Sequence, residues 1–250
     1  MSEQEIAVVV GATGDMGQYI VRRLVKNGLR VIAVARSQDA LSDLCAESDS
    51  IIPCVCDIAT DESIATISSL INARVRMVVH GPGVATAGGV MVAPTEAVVA
   101  AVEIKVSGLM RLVRAVDDHL VSGSRIVAIG GHYGFEPTAY AATAGIANAA
   151  LANLVRQYSW ACGARGVTAH LIAPGPADTD RLMRVASARA ERDGITQEQV
   201  LEEMKAESAI GSFTKLDEIA WAVEMLLAPE ANAMAGSTLF MDAGRRRGLP

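Results

Sequence analysis

The fold is decided near the N-terminus, where residues 8–17 read VVVGATGDMG. Three valines end an apolar run typical of a strand, three glycines make a turn, and an amphipathic segment typical of a helix follows. Glycines let the backbone approach a pyrophosphate closely, and the first turn of a helix supplies amide donors and a positive dipole end. This order favours a dinucleotide-binding turn over a tight turn without a ligand. The residues expected to hold the ligand here are Gly11, Thr13, Gly14, Asp15, Met16 and Gly17.

Strand-like and helix-like segments alternate along the rest of the chain. Apolar, β-branched runs predict strands at residues 6–10, 30–35, 51–56, 75–79, 125–129, 167–172 and 237–241. Helical periodicity predicts helices at about 17–27, 41–46, 63–70, 95–120, 138–161 and 216–227, and a charged helical insert at about 178–208. The alternation predicts one doubly wound α/β Rossmann domain over residues 1–250, with about seven parallel strands and helices on both faces.

Composition excludes several classes of protein. Of the 250 residues, 51% are hydrophobic and 20% are charged, which excludes a disordered or collagen-like chain. The net charge of −6 argues against a general binder of nucleic acid or of acidic membranes. The longest uncharged stretches are too weakly apolar or too interrupted by glycine to span a bilayer, and no secretory signal pattern opens the chain. We therefore expect a cytoplasmic location with reduced cysteines and, because no zinc-type spacing is present, no metal.

The end of the second predicted strand indicates which dinucleotide is bound. An enzyme that prefers NAD places a carboxylate here to bind the 2′-hydroxyl of the adenosine ribose. Ala35 offers no carboxylate, and the guanidinium of Arg36 suits a 2′-phosphate. The sequence therefore favours NADP(H), held by Arg36 and Ser37, with NAD(H) as the alternative.

Further motifs follow in the order and spacing of one family. They are Cys56-Asp57-Ile58, His80-Gly81-Pro82-Gly83, Ile172-Ala173-Pro174-Gly175 and the closing segment 234–244. With the glycine turn, these motifs make nearly the whole chain resemble the short-chain dehydrogenase/reductase family. The resemblance implies an oxidoreductase that interconverts a carbonyl and an alcohol of a small-molecule substrate. It also implies cofactor contacts from Asp57, Ile58, Gly81, Pro82, Gly83, Asn148, Pro174, Gly175 and Ala177.

The catalytic positions depart from the family pattern. The family places a serine after the fifth strand, a tyrosine and a lysine on the following helix, and an asparagine on the fourth helix. Counted without gaps, these positions hold Gly131, Ala144, Asn148 and Lys105. A second register aligns Tyr140 with the family tyrosine, but it needs a compensating deletion and insertion and still leaves an alanine at the lysine position.

Two features favour a rebuilt catalytic set. Lysine and asparagine are exchanged, since Lys105 replaces the family asparagine and Asn148 replaces the family lysine. Tyr140 lies one turn of the predicted helix before the vacated tyrosine position, on the same face. An ammonium beside a phenol makes the phenol a better acid, so Tyr140 and Lys105 could protonate the oxygen of a carbonyl substrate. His132 and Tyr133 are the candidates for the role of the serine.

Two other readings of the altered positions stay open. The chain could retain the cofactor and catalyse a lyase, isomerase or cyclase reaction, for which the missing tyrosine would cost little. It could also bind the dinucleotide without catalysis, with these side chains acting only in packing.

The helices and the insert indicate partners. Family members commonly pair their fourth and fifth helices, and the eight alanines between Ala139 and Ala152 allow close helix approach, which favours a homo-oligomer, a dimer or homotetramer. The same alanines could instead pack on the sheet. The insert at 178–208 is the substrate lid in this family. The insert carries four arginines, Arg181, Arg184, Arg189 and Arg192. Their pattern favours a solvated helix face over contact with an anionic substrate.

Overall fold

The computed structural model describes residues 4–84 and 88–248 and places seven parallel strands in one sheet. In chain order they are β1 (Ile6–Val10), β2 (Arg30–Ala35), β3 (Ile51–Val55), β4 (Val75–His80), β5 (Leu120–Ile129), β6 (Thr168–Pro174) and β7 (Thr238–Met241). Their order across the sheet is β3-β2-β1-β4-β5-β6-β7, and the predicted doubly wound architecture is confirmed. The predicted domain range 1–250 also includes residues 1–3, 85–87, 249 and 250, which lie outside the described residues.

Helices connect the strands and cover both faces of the sheet. They are α1 (Asp15–Lys26), α2 (Gln38–Cys45), α3 (Glu62–Ser68), α4 (Thr95–Val102), α5 (Gly108–Val116), α6 (Ala142–Gly163), α7 (Asp180–Asp193), α8 (Gln197–Ala206) and α9 (Leu216–Met225). Helices α7 and α8 form the predicted insert and share a small apolar core of their own.

The strands are apolar throughout because both faces of the sheet are covered. Side chains alternate between the faces along β1, so Val8 packs into one core and Val9 into the other. Helices α5 and α6 cover the first face through side chains such as Leu109 and Leu151. Helices α1 and α9 cover the second face, where Leu24 is buried. Each of these buried leucines contributes on the order of 1.5–3 kcal/mol relative to an exposed one.

The chain changes direction across the sheet at β1. It runs outward from β1 to β2 and β3 and then returns to β4 on the other side of β1. Ligands of open α/β sheets bind at this type of reversal, beyond the carboxyl ends of the strands. The amide of Gly81 donates to the carbonyl of Val10 at 3.0 Å and that of Gly11 to the carbonyl of Val34 at 2.9 Å. The loops after β1, β2 and β4 are thereby held together at the reversal.

The helix predicted at 95–120 is interrupted in the structure. A π-turn at Glu103–Ser107 separates α4 from α5, so that one turn contains an extra residue. Single π-turns occur often at functional sites. Lys105 lies at the centre of this turn.

The helix predicted at 138–161 begins only at Ala142. The amide of Val90 donates to the carbonyl of Ala139 at 3.0 Å, so the backbone just before the helix is bonded to the segment after β4. Tyr140 therefore lies in a loop. The prediction that Tyr140 and Ala144 share one helix face was wrong, because sequence periodicity carries no signal for this bond between loops.

The described part of the chain contains no helix that is both long and apolar enough to cross a membrane. Within the same residues, no group of three or more His, Cys, Asp or Glu side chains is placed to hold a metal ion. The cysteines are free thiols; Cys54 and Cys162 are buried, and Cys45 and Cys56 are half-buried.

Candidate active site

The turn after β1 requires glycine at two positions. A Cβ on Gly17 would lie 2.1 Å from the carbonyl oxygen of Gly11, so no side chain fits between α1 and the turn. Gly11 has a φ of +81°, and a Cβ there would meet the backbone of Gly81 and Pro82 at 3.2 Å. Gly14 precedes α1, and no side chain caps this helix. Its first amide donors are therefore open to an anion such as a pyrophosphate.

The other predicted residues of this turn have distinct surroundings. The carbonyl of Thr13 accepts a hydrogen bond from Gln18 Nε2 at 3.0 Å, which fixes the turn to the helix. Asp15 is exposed as the first residue of α1. Met16 is half-buried and lines a cavity at the carboxyl ends of β4, β5 and β6.

The loops after β2 and β3 lie side by side because these strands are paired. Arg36 is exposed immediately after β2, where its guanidinium is accessible to a phosphate. The hydroxyl of Ser37 accepts the amide of Ala40 at 3.3 Å and caps α2. Asp57 is exposed in the neighbouring loop, and Ile58 is buried beneath it.

A cavity of about 230 Å³ opens at the carboxyl ends of β4, β5 and β6. All five predicted catalytic residues line it, namely Lys105, His132, Tyr133, Tyr140 and Asn148. Other predicted cofactor residues in its lining are Met16, Gly81, Gly83, Pro174, Gly175 and Ala177. The remaining ones lie outside it: Gly11, Thr13, Gly14, Asp15, Gly17, Arg36, Ser37, Asp57, Ile58 and Pro82.

Lys105 is a buried amine at the wall of this cavity. Its side chain extends from the π-turn, and Nζ donates to the carbonyl oxygen of Ile129, the last residue of β5, at 2.8 Å. Burial, followed by the positive charge of Arg181, lowers the pKa of Lys105 to about 7. A lysine with this pKa exchanges its proton near neutral pH, which suits a general acid or base.

His80 supports the turn that carries Lys105. It is fully buried at the end of β4, and its Nε2 lies 2.9 Å from the carbonyl oxygen of Ile104. Burial, together with the charge of Lys105, lowers the pKa of His80 to about 3, so the ring is neutral and Nε2 donates this bond. Gly108 makes room for the ring, since a Cβ there would lie 2.9 Å from its Cε1. This role of His80 was not predicted, and its only signal in the sequence is a polar residue at the end of an apolar strand.

The side chain of Asn148 lies against Gly131, the position that the gap-free register aligns with the family serine. A Cβ on Gly131 would lie 2.9 Å from Asn148 Nδ2, so a side chain at 131 would require the amide to shift. Asn148 is buried, and its Oδ1 has no hydrogen-bond partner in the described part of the protein. A buried acceptor without a partner costs about 1–3 kcal/mol, which a ligand that donates a hydrogen bond would recover.

The two tyrosines of the cavity form a pair. Their hydroxyl oxygens are 3.0 Å apart, and the rings of Tyr133 and Tyr140 meet edge to face. Burial, and then the bond to Tyr140, raises the pKa of Tyr133 to about 12. Tyr140 is 47% exposed at the mouth of the cavity. The hydroxyl of Tyr140 is bonded to Tyr133 rather than to Lys105, so these side chains do not form the direct pair proposed from sequence.

His132 cannot supply a positive charge at neutral pH. It is buried beside Tyr133, with the ring centroids 4.0 Å apart. Burial and the nearby charge of Arg245 lower the pKa of His132 to about 4, so the ring is neutral.

Comparison with known proteins identifies the family. Residues 11–246 match the family model described as enoyl-(acyl carrier protein) reductase. The 3-oxoacyl-[acyl-carrier-protein] reductase FabG of Salmonella typhimurium is 29% identical over 248 residues, which cover 97% of each chain. The short-chain reductase protein NovJ of Streptomyces niveus is 27% identical over 259 residues, covering 98% of this chain and 95% of NovJ. The chain belongs to the short-chain dehydrogenase/reductase family.

Solved structures of short-chain dehydrogenases/reductases share the fold. A variant of actinorhodin polyketide ketoreductase with NADPH superposes with a TM-score of 0.88 at 24% identity, covering 97% of both chains. A short-chain oxidoreductase from Pseudomonas aeruginosa PAO1, described as containing an atypical catalytic center, gives 0.85 at 22% identity, covering 98% of both.

The four positions that the gap-free register aligns with the catalytic residues of the short-chain dehydrogenase/reductase family lie around one cavity. Gly131, Ala144, Asn148 and Lys105, the four positions of the gap-free register, all line it. Ala144 leaves space at the tyrosine position, and Tyr140 lines the same cavity from the loop.

Proposed function

We propose that this protein is an NADP(H)-dependent oxidoreductase that interconverts a carbonyl and an alcohol with a rearranged acid–base set. The observation that carries the proposal is the buried Lys105, with a pKa of about 7, in a cavity that it shares with the Tyr133–Tyr140 pair and the unpartnered Asn148 Oδ1. The reductases among the relatives, and the NADPH in one structure of the same fold, support this reaction class.

The residues present fit a dinucleotide. The uncapped start of α1 would hold the pyrophosphate, and Arg36 would hold the 2′-phosphate through charge-assisted hydrogen bonds. Asn148 Oδ1 would accept a hydrogen bond from the cofactor at the position where the family has lysine. When bound, the nicotinamide donates or accepts the hydride.

Lys105 would act as the acid during reduction. As hydride adds to the carbonyl carbon, negative charge grows on the oxygen, and the proton on Lys105 Nζ transfers to it to give the alcohol. The neutral amine then regains a proton from water. Tyr140, at the cavity mouth, would orient the substrate oxygen by a hydrogen bond, and Tyr133, with a pKa of about 12, would remain protonated and hold Tyr140 in place.

The test is turnover of NADPH with a panel of ketones and aldehydes, followed at 340 nm with product analysis by mass spectrometry. We expect NADPH oxidation matched by alcohol formation, reduced in Lys105→Met and in Tyr140→Phe. Lys26→Met, at the exposed end of α1, is the matched control for loss of an amine. Product formation without a change at 340 nm would favour a lyase, isomerase or cyclase, and NADPH binding without any product would favour a silent dinucleotide-binding protein.

The predicted homo-oligomer and cytoplasmic location belong to the same proposal. Large apolar side chains are exposed on the helices that relatives pair, with Val99 on α4 and Ile146 and Trp160 on α6. Covering these side chains in a dimer or tetramer would remove them from water. Light scattering at micromolar concentration tests the assembly, and a single species near 26.1 kDa would contradict it.

A further inference from the structure

A second, wider groove adjoins the candidate active site. It has a volume of about 670 Å³, and four arginines of α7 line it: Arg181, Arg184, Arg189 and Arg192. Residues three apart on a helix project from neighbouring parts of one face, which applies to the pair Arg181 and Arg184 and to the pair Arg189 and Arg192. The two pairs follow each other along α7, and we call the four side chains the arginine row. The first and the last arginine are eleven positions apart on the α-helix, a span of about 16 Å.

The row carries an excess of positive charge. No aspartate or glutamate lines the groove among the residues that the structure describes. At the far end of the row, Arg192 binds the carboxylate of Asp193 through Nε and Nη2 at 2.7 and 2.8 Å. Burial lowers the pKa of Arg181, the neighbouring Tyr133 raises it, and the charge of Arg184 lowers it again, so the two guanidinium groups are close enough to repel each other. An anion bound between them would relieve that repulsion.

The groove is continuous with the cavity of Lys105. Tyr140, Arg181, Val84 and Val185 line both spaces. A substrate with its reacting carbon beside Lys105 and Tyr140 would therefore extend along the arginine row. The volume of the groove lies within the roughly 300–1,000 Å³ of small-molecule sites.

We propose that this groove binds the anionic part of the substrate, and that the substrate is a small carbonyl compound with at least two carboxylate or phosphate groups. The proposal rests on the proposed function for the reacting end and names the substrate class. Guanidinium groups bind carboxylates and phosphates through paired, charge-assisted hydrogen bonds, and the row offers several along one direction. The arginines thus form a binding surface, whereas the sequence pattern alone favoured a solvated helix face.

The first experiment measures anion binding without turnover. Inorganic pyrophosphate is titrated calorimetrically into protein saturated with NADPH, so that the turn after β1 is already filled. We expect binding by the wild type, weakened at least about tenfold in the double variant Arg184→Glu/Arg189→Glu, since each reversed charge opposes the phosphates. Ser187→Glu adds a negative charge on an exposed part of the same helix outside the groove lining and should change affinity less than about twofold.

Three results of this titration would overturn the groove as an anion site for small molecules. They are no pyrophosphate binding by the wild type, equal binding by the double variant, and equal weakening by Ser187→Glu. If the wild type binds an acidic protein but not pyrophosphate, the proposal of a small-molecule anion site is also overturned, in favour of a macromolecular partner. NADPH affinity, measured in parallel by fluorescence, should be unchanged in both variants and shows that they fold.

The second experiment uses turnover. Wild-type kcat/KM for 4-oxoheptanedioate, a dianion, should exceed that for its neutral diethyl ester at least about tenfold, and the double variant should lose this preference. A preference for the ester in the wild type would overturn the proposal. If neither compound oxidises NADPH, the proposed reaction is contradicted but the groove is not. The pyrophosphate titration then decides whether the groove binds anions.

Discussion

The turn after β1 and the loop after β5 are both rich in glycine, and one glycine of each, Gly17 and Gly131, faces a different kind of neighbour. Gly134 of the second loop resembles Gly17, since a Cβ there would meet backbone at 2.9 Å. A Cβ on Gly17 would meet backbone, the carbonyl oxygen of Gly11 at 2.1 Å. A Cβ on Gly131 would meet a side chain, the Nδ2 of Asn148 at 2.9 Å. Substitution can remove a side-chain atom but not a backbone carbonyl. We call the turn after β1 with Arg36 the cofactor half of the candidate site, and Lys105, Gly131 and Asn148 the catalytic half. A side chain at Gly17 would conflict with the backbone itself, whereas one at Gly131 would conflict with a side chain that a second substitution can remove.

If Lys105 is the acid of the catalytic half, its loss should have the largest effect on activity. Lys105→Met should lower turnover by about 10²–10⁴-fold, the usual effect of losing a positioned acid, with NADPH affinity unchanged. In the wild type, reduction should slow as pH rises through about 7, because Lys105 loses its proton there, and this limb should be absent in the variant. A pH–rate profile of the same shape in both proteins would rule Lys105 out.

If the cofactor half is fixed by backbone, a methyl group at Gly17 should not be tolerated. Gly17→Ala should lower the free energy of unfolding by about 3 kcal/mol and weaken NADPH binding, because α1 must move away from the turn. Urea denaturation and a fluorescence titration of NADPH measure the two effects. Gly28→Ala is the control for a glycine with nothing near its Cβ position, although its φ of +84° adds a backbone cost. Unchanged NADPH affinity in Gly17→Ala would contradict the assignment.

If the catalytic half is matched by side chains, a clash at Gly131 should be relieved from the other side. Gly131→Ser should cost about 1–3 kcal/mol in unfolding free energy, since its Cβ would press on the Asn148 amide. The double variant Gly131→Ser/Asn148→Ala should recover at least about 1 kcal/mol beyond additivity. Strictly additive costs in a double-mutant cycle would show that the two positions are independent.

Arg36 should affect the choice of cofactor and nothing in the catalytic half. A guanidinium–phosphate contact contributes on the order of 1.5–3 kcal/mol, so Arg36→Ala should weaken NADPH binding about tenfold or more and leave NADH binding unchanged. Titration of both dinucleotides against both proteins measures this. Equal wild-type affinities for NADPH and NADH would reject the preference.

The buried amine should also make the stability of the catalytic half depend on pH. The unfolded chain holds the Lys105 proton up to the ordinary pKa of 10.5, whereas the folded chain releases it near 7. Between these values the unfolded state binds more protons, so the free energy of unfolding should rise with pH, by at most about 1.4 kcal/mol per pH unit. Denaturation of wild type and Lys105→Met from pH 6 to 10 measures the difference between their free energies of unfolding. This difference should not change with pH below 7. If this difference in unfolding free energy does not change between pH 6 and 10, the lowered pKa of Lys105 in the folded protein is contradicted.

Most of the cofactor half follows from sequence because its rules are local. The glycine turn, the strands on either side and Arg36 lie within residues 6–36, and their relation depends on short-range periodicity and glycine geometry. The catalytic half depends on pairs distant in the chain. The spacing of motifs predicts Lys105 and Asn148 as site residues. It carries no signal for the hydrogen bond from Lys105 Nζ to the end of β5 or for the support of this turn by His80.

Two features of the catalytic half had no reliable sequence signal. Helix α6 starts late because the segment before it is bonded to the chain near Val90, a contact between distant loops. The arginines of α7 have the spacing of an ordinary solvated face, and only the neighbouring walls at Val84 and Tyr140 turn that face into a groove.

The π-turn at Glu103–Ser107 changes the direction in which the apolar stripe faces within one continuous helical segment. An α-helix has one apolar stripe, and each added residue rotates the following stripe by about 100°. Before the turn, Ala101 of α4 packs against Ala144 and Ala147 of α6. After it, Leu109 and its neighbours in α5 pack on the sheet. The segment changes partner at Lys105, so the amine lies at the seam between two hydrophobic clusters and can reach the end of β5 without disrupting either one.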